Sequence, residues 1–589
     1  MGDGILRASH RGFGLLSRRI FAAALAFLLG IIVILPGQTQ EAPSISIVSE
    51  TAETAASYIR SPCLGINHIS LAEEPTSEER YARALALGTG WNRWPLYWNR
   101  VERTPGEYDW SAYDRLVGDD LAHGLRINAI LLGRPTFAAD GERIKGLQQP
   151  IFADGSDYPE PDKPINPDNL WANFVYAAVN RYRPGGVLAQ SEGWPEDWGV
   201  HVWEIWNEPD YDSFWQGGIN EYARLLKVAY IVAKQADPDT TVMFGGLLYP
   251  TEDNWLARVL KIYANDPLRE QFNWYMDQVA VHNYSYPWRS GWLTLYVRQT
   301  LSANNLRRPI WLNESGVRVW DDYPGPLWAA ADPDLRQQRA TAEQQAYFFI
   351  QSAVYAWSEG ADVVFFHQLF DDCGDQPAGT DFAFHSGELC TGRGICFGDA
   401  FGLYRNESSS ICFSQHPQPG TARPAADAYR LVAEVFGAEP FENPRSKRLE
   451  GGKVQIIAFE RPGTSQRIYV LWNRTFDAVT FDLPASSDSA HLLTLRSRRS
   501  IQPEDGVYRL NLPPAQPDNY PKLEPGDVAA INGPPLIVIE NSPDLRRVPE
   551  FLLPPTPTPT PSPTLDATQI VIVTQTARAA VTVTPTPAE

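Results

Sequence analysis

The stretch VWEIWNEPDYD, Val202–Asp212, begins as an apolar run and ends in polar residues. The run is typical of a buried β-strand, and Asn207 and Glu208 stand where that strand should end. A second stretch, PIWLNESG at Pro309–Gly316, repeats the pattern and also ends in an Asn-Glu pair, with Glu314 as its acid. Each stretch therefore predicts a buried strand that presents a carboxylate at its carboxyl end.

These two strands belong to a repeating pattern between residues 61 and 440. The strand candidates are Leu64–His68, Trp91–Pro95, Arg126–Leu132, His201–Trp206, Thr241–Gly246, Gln278–His282, Pro309–Asn313 and Asp362–His367. The helix candidates between them include Glu79–Leu87, Ala112–His123, Leu170–Tyr182, Asn220–Ala236, Asn254–Tyr263 and Ala342–Ser358. Eight β-then-α units predict an α/β fold, a (β/α)8 barrel with insertions. The alternative, a doubly wound open sheet, would carry a Gly-rich phosphate loop after its first strand, and the sequence has none there.

Catalytic residues of a (β/α)8 barrel stand at the carboxyl ends of its strands. Glu208 follows the fourth predicted strand and Glu314 the seventh, so their carboxylates should face each other across the barrel mouth. Two carboxylates that flank one bond are the minimum for glycoside hydrolysis, one as proton donor and the other ionised to attack or to activate water. A separation of about 5–5.5 Å gives retention of the anomeric configuration, and about 6.5–9.5 Å gives inversion.

Both motifs resemble a known group of enzymes. WEIWNEPD and IWLNESG are similar to the acid/base and nucleophile signatures of the clan A glycoside hydrolases, of the family 39 and family 5 type. The resemblance covers residues 64–436 and implies a (β/α)8 barrel that cleaves β-linked O-glycosidic bonds with retention. It implies Glu208 as the general acid/base and Glu314 as the nucleophile. Hydrolysis of this kind needs no metal ion and no nucleotide, so no cofactor is expected.

The resemblance also implies four substrate-site residues. Asn207, before the acid/base, matches the clan residue that hydrogen-bonds the substrate hydroxyl next to the anomeric carbon. In VHNYSYP, His282 would line the sugar site and Tyr284 would hydrogen-bond the nucleophile. Arg93, in WNRWPLYW, matches the clan arginine whose fixed charge keeps the nucleophile ionised. Taken alone, these last three residues have structural alternatives: a core histidine, a rim-packing tyrosine and an arginine that pairs with a surface acid.

Tryptophans are frequent around the predicted strand ends, and a flat indole suits the apolar face of a sugar ring. Trp320 and Trp328, in the loop after the seventh strand, are the predicted platform residues, with core packing as the alternative for any single tryptophan. The sequence departs from the clan at the eighth strand, DVVFFHQLFDD, where many members carry a tryptophan and this chain carries His367. His68 and His367 stand at strand ends, where they could contact substrate.

Helical patterning is absent from residue 441 to residue 545, and short β-rich segments alternate there with turns. The strand candidates are Val454–Phe459, Arg467–Trp472, Ala478–Leu483, His491–Leu495, Val507–Leu512 and Leu536–Glu540. This pattern predicts a C-terminal all-β sandwich. A structural role beside the barrel is favoured over a carbohydrate-binding module, because no exposed aromatic row is evident.

Both termini are predicted to lie outside the folded body. Residues 1–36 combine arginines with the apolar run Ile20–Leu35, a pattern typical of a signal peptide or an N-terminal membrane anchor. Residues 37–60 form a polar spacer, and residues 546–589, which include PPTPTPTPSPT, form a Pro/Thr-rich tail that cannot build a core. The protein is therefore expected outside the cell or at its surface.

Four of the five cysteines crowd one stretch. Cys373, Cys390, Cys396 and Cys412 predict two disulfides in an oxidising compartment, because a metal site would favour tighter C-x2-C pairs. The pairing among the four stays open, and Cys63 lies far away in sequence.

The net charge of −20 argues against nucleic acid as a partner. An oligosaccharide, a polysaccharide or another glycoside is the expected substrate, and xylosides, glucosides, mannosides and uronic acid glycosides all fit two glutamates. The competing hypothesis is a non-catalytic carbohydrate-binding or adhesion protein on a barrel that has lost its activity. The intact pair of Glu208 and Glu314 favours the enzyme.

Overall fold

The computed structural model describes residues 60–72, 77–141, 143–319, 322, 339–371, 400–410, 416–516 and 530–553. The signal or anchor segment, the spacer before residue 60, the Pro/Thr-rich repeat, Trp320, Trp328 and the four clustered cysteines lie outside these residues. Cys63 is a free thiol. Within the described ranges, no helix has both the length and the apolar character that a membrane crossing requires.

Eight parallel strands close into a barrel, in the order β1-β8-β7-β6-β5-β4-β3-β2. They are β1 (Leu64–Asn67), β2 (Trp91–Tyr97), β3 (Arg126–Leu132), β4 (Val202–Ile205), β5 (Thr241–Leu247), β6 (Gln278–Asn283), β7 (Ile310–Ser315) and β8 (Val363–Phe366). Helices cover the outer face and side chains fill the interior, so the strands are nearly continuous apolar runs. The prediction of a (β/α)8 barrel is confirmed.

Helices follow the barrel strands along the chain. They are α1 (Glu78–Ala86), α2 (Trp98–Val101), α3 (Ser111–Ala122), α4 (Leu170–Tyr182), α5 (Val187–Glu192), α6 (Ile219–Ala236), α7 (Trp255–Tyr263), α8 (Pro287–Ala303), α9 (Ala342–Ser358) and α10 (Pro424–Val432). Side-chain caps fix several helix starts. Ser77 accepts the amide of Arg80 before α1, and Thr341 and Gln344 form a reciprocal capping box before α9.

The lower part of the barrel interior is packed with large apolar side chains. Trp91, Met243, Trp311 and Phe365 form this cluster, and each is buried. Gly65 on β1 makes room for it, since a Cβ there would lie 2.2 Å from the Phe365 ring. This packing closes the bottom of the barrel and leaves the carboxyl ends of the strands as the open side.

The C-terminal β region contains a six-stranded antiparallel sheet and a two-stranded ribbon. The strands are β9 (Glu442–Leu449), β10 (Val454–Arg461), β11 (Gln466–Asn473), β12 (Val479–Pro484), β13 (Ala490–Leu493), β14 (Arg498–Ile501), β15 (Val507–Leu512) and β16 (Leu536–Asn541). The sheet has the order β9-β10-β11-β16-β13-β14, and the ribbon pairs β12 with β15. One face of the sheet packs on the ribbon in a common core.

The other face of the six-stranded sheet packs against the barrel. Trp472 on β11 contacts Tyr355 on α9 edge to face, with ring centroids 5.3 Å apart, and its indole donates to Asn532. The amide of Gln351 on α9 donates to the backbone carbonyl of Asn532 at 3.2 Å and accepts from the amide of the same residue. Because successive residues of β10 and β11 face the ribbon and the barrel in turn, the central residues of both strands, Ile456–Phe459 and Ile468–Trp472, are apolar on both faces.

Loops after β7 and β8 are joined by buried charges. Arg423 donates two hydrogen bonds to the carboxylate of Asp371 and a third, at 3.0 Å, to Asp322. Arg405 and His416 also contact Asp322, at 2.7 and 2.9 Å. A fully buried arginine needs such anionic partners. The network fixes the described parts of these two loops at the mouth of the barrel.

Candidate active site

Glu208 and Glu314 meet at the carboxyl ends of β4 and β7. Each side chain is almost covered, and the two residues are 5% and 8% exposed. One carboxylate oxygen of Glu208 lies within 4.8 Å of one of Glu314. This separation is below the about 6.5–9.5 Å of inverting glycosidases and close to the about 5–5.5 Å of retaining ones.

A sharp turn after β4 brings Glu208 to the pocket. Trp206 and Glu208 have φ angles of 67° and 44°, a left-handed conformation that residues other than glycine seldom adopt. The turn is fixed from below, because the hydroxyl of Tyr222 donates to the carbonyl of Ile205 at 3.0 Å. The amide of Tyr211 then donates to the Glu208 carbonyl at 3.0 Å. Backbone strain of this kind is common at active sites, where surrounding contacts maintain it.

Arg93 on β2 connects the members of the site and is fully buried. Its Nη1 donates to Glu314 Oε1 at 2.5 Å, and its Nη2 donates to Asn207 Oδ1 at 2.9 Å. Its Nε and Nη2 also donate to the two carboxylate oxygens of Glu204, at 2.7 and 2.9 Å. The guanidinium thus hydrogen-bonds to Glu204, Glu314 and Asn207 at the same time and fixes their positions relative to one another.

The environment of Glu314 favours its ionised form. The Tyr284 hydroxyl donates to Glu314 Oε2, opposite the oxygen held by Arg93. Burial on its own raises the pKa of Glu314, but the positive charges of His282, Arg93 and His367 and the Tyr284 hydrogen bond outweigh it and hold that pKa below its usual range. Burial and the charge of Glu314 raise the pKa of the Tyr284 hydroxyl, so it stays a donor.

The environment of Glu208 favours its protonated form. Burial raises the pKa of Glu208, and the negative charges of Glu314 and Asp210 add to this, whereas the hydrogen bond and charge of His282 oppose it. Two neighbouring carboxyls with pKa values moved in opposite directions are the arrangement that separates an acid from a nucleophile.

His282 bridges the two carboxylates from behind the pocket. Its Nδ1 lies 2.8 Å from Glu208 Oε1 and 3.4 Å from Glu314 Oε2. Burial opposes a charged imidazole, but the charge of Glu314 and the hydrogen bond with Glu208 raise the pKa of His282. The ring fits only because residue 246 is glycine, since a Cβ there would lie 1.9 Å from His282 Nε2. The structure therefore places His282 between the acids, fully buried, and not among the residues that line the cavity.

Glu204 is part of this centre, and the sequence reasoning missed it. It points into the barrel from β4 and is fully buried. Besides the two bonds from Arg93, it accepts one from Asn313 Nδ2 at 2.8 Å and one from the amide of Gly246 at 2.9 Å. A signal was present, because Glu204 is the one charged residue in the apolar run VWEIW. A charge in a buried strand needs a partner, and Arg93 on β2 provides it.

The cavity above these residues has a volume of about 690 Å³. Arg93, Asn207, Glu208, Tyr284 and Glu314 line it. The lining also includes two histidines at strand ends, two further cationic or aromatic side chains and several apolar ones: His68, His367, Arg318, Phe401, Pro95, Tyr97, Ile130, Leu132, Tyr211, Phe214 and Leu248. Five of the six predicted substrate-site and catalytic residues in the described part of the chain therefore reach this cavity, and the sixth, His282, lies directly below it.

His367 occupies the end of β8, where the clan resemblance would place a tryptophan. Its imidazole packs edge to face on Tyr284 and on Phe401, with ring centroids 5.5 and 5.3 Å apart. It also contacts the ring of His68, whose Nδ1 lies 2.6 Å from Gln368 Oε1. The peptide bond between His367 and Gln368 is cis. The rings of His68, His367, Tyr284 and Phe401 thus pack against one another in the pocket wall on this side.

Glu208, His282 and Glu314 also offer one ligand atom each within 4.8 Å of one another, a spacing that could hold a metal ion. His282 Nδ1 already lies at hydrogen-bond distance from Glu208, and Glu314 already accepts from Arg93 and Tyr284. Each of these ligand atoms therefore already has a hydrogen-bond partner among the side chains of the site.

A comparison with solved structures finds glycoside hydrolases. A family 39 glycoside hydrolase from the gut symbiont Bacteroides cellulosilyticus WH2 is 16% identical, with a TM-score of 0.52 over 82% of this chain and 81% of that one. A GH30 endoxylanase from Clostridium papyrosolvens C71 is 14% identical, with a TM-score of 0.46 over 82% and 97% of the two chains. A GH51 α-L-arabinofuranosidase from Thermotoga petrophila RKU-1 is 12% identical, with a TM-score of 0.46 over 82% and 97%.

No protein-family profile matches the sequence, and no curated protein matches it. The similarity to the family 39 structure concerns the fold. In fold, the chain is similar to this family 39 glycoside hydrolase, and it has the (β/α)8 barrel that the two motifs had indicated.

Proposed function

We propose that this protein is a retaining glycoside hydrolase that cleaves β-linked bonds of an oligosaccharide or polysaccharide. One observation carries the proposal: Glu208 and Glu314 lie within 4.8 Å of each other, and their surroundings move their pKa values in opposite directions. A protonated acid and an ionised nucleophile at this spacing are the requirements for double displacement.

In the first step, Glu314 attacks the anomeric carbon as the bond from that carbon to the leaving oxygen breaks. Glu208 gives its proton to the leaving oxygen, so that the departing group leaves as a neutral alcohol. His282 Nδ1 occupies Glu208 Oε1, which leaves Oε2 to carry the transferable proton. The product of this step is an ester between Glu314 and the sugar.

In the second step, a change in the charge of the site converts Glu208 from a general acid into a general base. Esterification removes the negative charge of Glu314, one of the charges that raise the pKa of Glu208. The pKa of Glu208 then falls, and the group can take a proton from water. The resulting hydroxide attacks the anomeric carbon, the ester bond breaks, and Glu314 returns as a carboxylate.

The other site residues hold the sugar and the nucleophile. Because Asn207 Oδ1 accepts from Arg93, its NH2 group is left to donate to a sugar hydroxyl. Tyr284 and Arg93 fix the two oxygens of Glu314. Trp320 and Trp328 remain proposed platform residues.

The domain organisation and location are also proposed. Residues 61–440 would form the catalytic domain and residues 441–545 an accessory domain that supports it, which the shared apolar core favours. Export through residues 1–36 would bring the enzyme to a polysaccharide outside the cell.

The stereochemistry of the first product tests the proposed function. The full chain would be incubated with 4-nitrophenyl β-glycosides of xylose, glucose, mannose and glucuronic acid, and the product anomer followed by proton NMR before mutarotation. A β-anomer as the first product is expected. An α-anomer would show inversion and would exclude Glu314 as a nucleophile.

Glu208→Ala is expected to lower the activity on substrates with poor leaving groups far more than the activity on substrates with good ones. Without the acid, kcat/KM for an unactivated alkyl glycoside or disaccharide should fall by about 10²–10⁴-fold. A dinitrophenyl glycoside needs no protonation of its leaving group, so its first step should change much less. Steady-state kinetics on both substrates check this expectation.

The pH dependence of kcat/KM is expected to show an alkaline limb that is set by Glu208. Activity of the wild type needs protonated Glu208, whose pKa is raised, so kcat/KM should fall as the pH rises through that pKa. Glu208→Ala should remove this alkaline limb with the dinitrophenyl substrate. A limb that persists unchanged in the variant would assign it to another group.

Glu204→Gln is expected to move the alkaline limb of kcat/KM to lower pH. Removing one negative charge from a buried site lowers the pKa of the acids that remain, because the charge of Arg93 is then less compensated. The amide would also face donors from Asn313 and Gly246, so some stability should be lost as well.

The pH at which the alkaline limb occurs distinguishes an electrostatic effect of Glu204 from a loss of stability, because lost stability alone does not move the limb. Glu102→Gln is the matched control, because Glu102 is also buried but accepts from the indole of Trp98, and neither residue lines the cavity. Its limb should stay in place. An unshifted limb in Glu204→Gln would show that Glu204 does not act on the titration of the site.

A further inference from the structure

Two aromatic rings stand exposed in the cavity beside the acid. Tyr211 and Phe214 lie in the loop that follows Glu208 and line the cavity. They are 39% and 43% exposed, and their ring centroids are 6.3 Å apart with a tilt of 47°. Large apolar rings that stay uncovered next to a polar catalytic centre indicate a surface that a ligand covers.

The loop that carries these rings is held firmly. The indole of Trp206 donates to the carbonyl of Phe214 at 2.8 Å, and the amide of Phe214 donates to the carbonyl of Tyr211 at 2.9 Å. The Asp210 carboxylate accepts the amides of Leu248 and Tyr249, at 3.1 and 2.7 Å. The backbone that carries both rings is therefore held in place, which lowers the entropy cost of binding.

The cavity wall differs between its two sides. The order of the strands places β3 and β4 across the barrel from β7 and β8. On the β2–β4 side, Arg93 and Asn207 are polar, and the other lining residues before and after the acid are Pro95, Tyr97, Ile130, Leu132, Tyr211 and Phe214, which are apolar or aromatic. On the β6–β8 side, the wall around Glu314 is richer in polar groups and comprises Tyr284, Arg318, His367 and Phe401.

This difference between the two walls indicates which part of the substrate binds on each side of the cavity. The sugar that forms the ester must lie over Glu314, near the polar side. The group that receives the proton of Glu208 must lie over the acid, against the apolar side. Sugar rings present C–H groups on one face, and such faces stack on aromatic rings.

We propose that Tyr211 and Phe214 form a subsite for the leaving group and that its ligand is a sugar ring. The substrate is then an oligosaccharide with a sugar on each side of the cleaved bond, and the same subsite binds a sugar acceptor after the first step. This inference rests on the proposed function and names the substrate class of that site.

Reactivation of a trapped ester tests the subsite. The full chain would be labelled with the activated 2-deoxy-2-fluoro glycoside that forms an adduct, freed of excess reagent, and allowed to reactivate in buffer alone or with xylobiose or cellobiose. An acceptor bound next to the ester releases the sugar by transfer. In the wild type, at least one of the two disaccharides should increase the reactivation rate.

The double variant Tyr211→Ala with Phe214→Ala should lose at least tenfold of the acceleration by the acceptor, measured relative to the variant's own rate in buffer. Tyr211→Phe retains the ring and should keep the acceleration. Phe476→Ala is the matched control, since Phe476 is 46% exposed but lies in the C-terminal β region. It should behave as wild type.

The outcomes distinguish the subsite from the chemistry. An adduct on Glu314 without acceleration by either disaccharide, or equal acceleration in the double variant, would overturn the subsite and leave the proposed function standing. A protein that no fluoro glycoside labels would overturn the proposed function and the subsite with it.

Discussion

Glu314→Ala is expected to lower kcat by at least about 10⁴-fold, which corresponds to ~5.5 kcal/mol of barrier. The variant has no group that can form the ester, and the fixed contacts from Arg93 and Tyr284 then surround an empty space. Azide added to the variant should occupy that space and attack the anomeric carbon. The measurement is turnover of a dinitrophenyl glycoside, with analysis of the product for an α-glycosyl azide.

A buried glutamate elsewhere is the control for Glu314→Ala. Glu460 on β10 is 7% exposed and lies in the C-terminal sheet, so Glu460→Ala removes a similar group far from the cavity. Its kcat should stay near that of the wild type, whatever the loss of stability. Comparable kcat values for the two variants would contradict the role of Glu314.

Arg93→Met is expected to destabilise the protein by about 3–5 kcal/mol, since removal of one member of a buried ion pair leaves uncompensated charge. Glu204 and Glu314 both lose their cation. The pKa of Glu314 should rise in the variant, so the acid limb of kcat/KM should move to higher pH. Urea denaturation measures the first effect, and the pH profile measures the second.

The double variant Arg93→Met with Glu204→Met separates lost packing from lost charge. If unpaired charge dominates, the second substitution should restore part of the stability, because no charge is then left without a partner on β4. A loss below ~1 kcal/mol in Arg93→Met, or a double variant that is no more stable than the single one, would contradict this account.

The barrel could be predicted from the sequence because each of its strands is buried on both faces and is therefore a short apolar run. Several elements could not be predicted in this way, and α8 and β9 show why. On α8, Ser290 and Thr294 are buried, and Ser290 bonds to Ser352 on α9 at 2.5 Å, so polar residues interrupt the apolar stripe that identifies a helix. Strand β9 lies at the edge of its sheet and carries charged residues, as edge strands commonly do. It therefore lacks the apolar run by which the other strands were identified.

Some residues of the site could likewise be predicted from the sequence, and others could not. Asn207, Glu208, Glu314, Arg93 and Tyr284 could be proposed because their motifs follow apolar strands, and the structure brings them together around one cavity. The role of contacts between strands could not be proposed from the sequence. The position of His282 behind the two acids depends on the direction of its side chain and on the space that glycine leaves at residue 246.

The contact between Arg93 and Glu204 joins β2 to β4, across the intervening β3. Spacing along the chain gives no measure of such a distance. The fold had to be known before this pair could be recognised, and the same holds for the exposed rings of Tyr211 and Phe214.

Covalent trapping tests the central claim most directly. The full chain and Glu314→Ala would each be incubated with a panel of activated 2-deoxy-2-fluoro glycosides, and the intact mass and the labelled peptide determined. We expect one sugar per chain on Glu314 of the wild type and no adduct on the variant. No adduct with any glycoside, together with oligosaccharide binding that Glu314→Ala leaves unchanged, would contradict the account and favour a carbohydrate-binding protein.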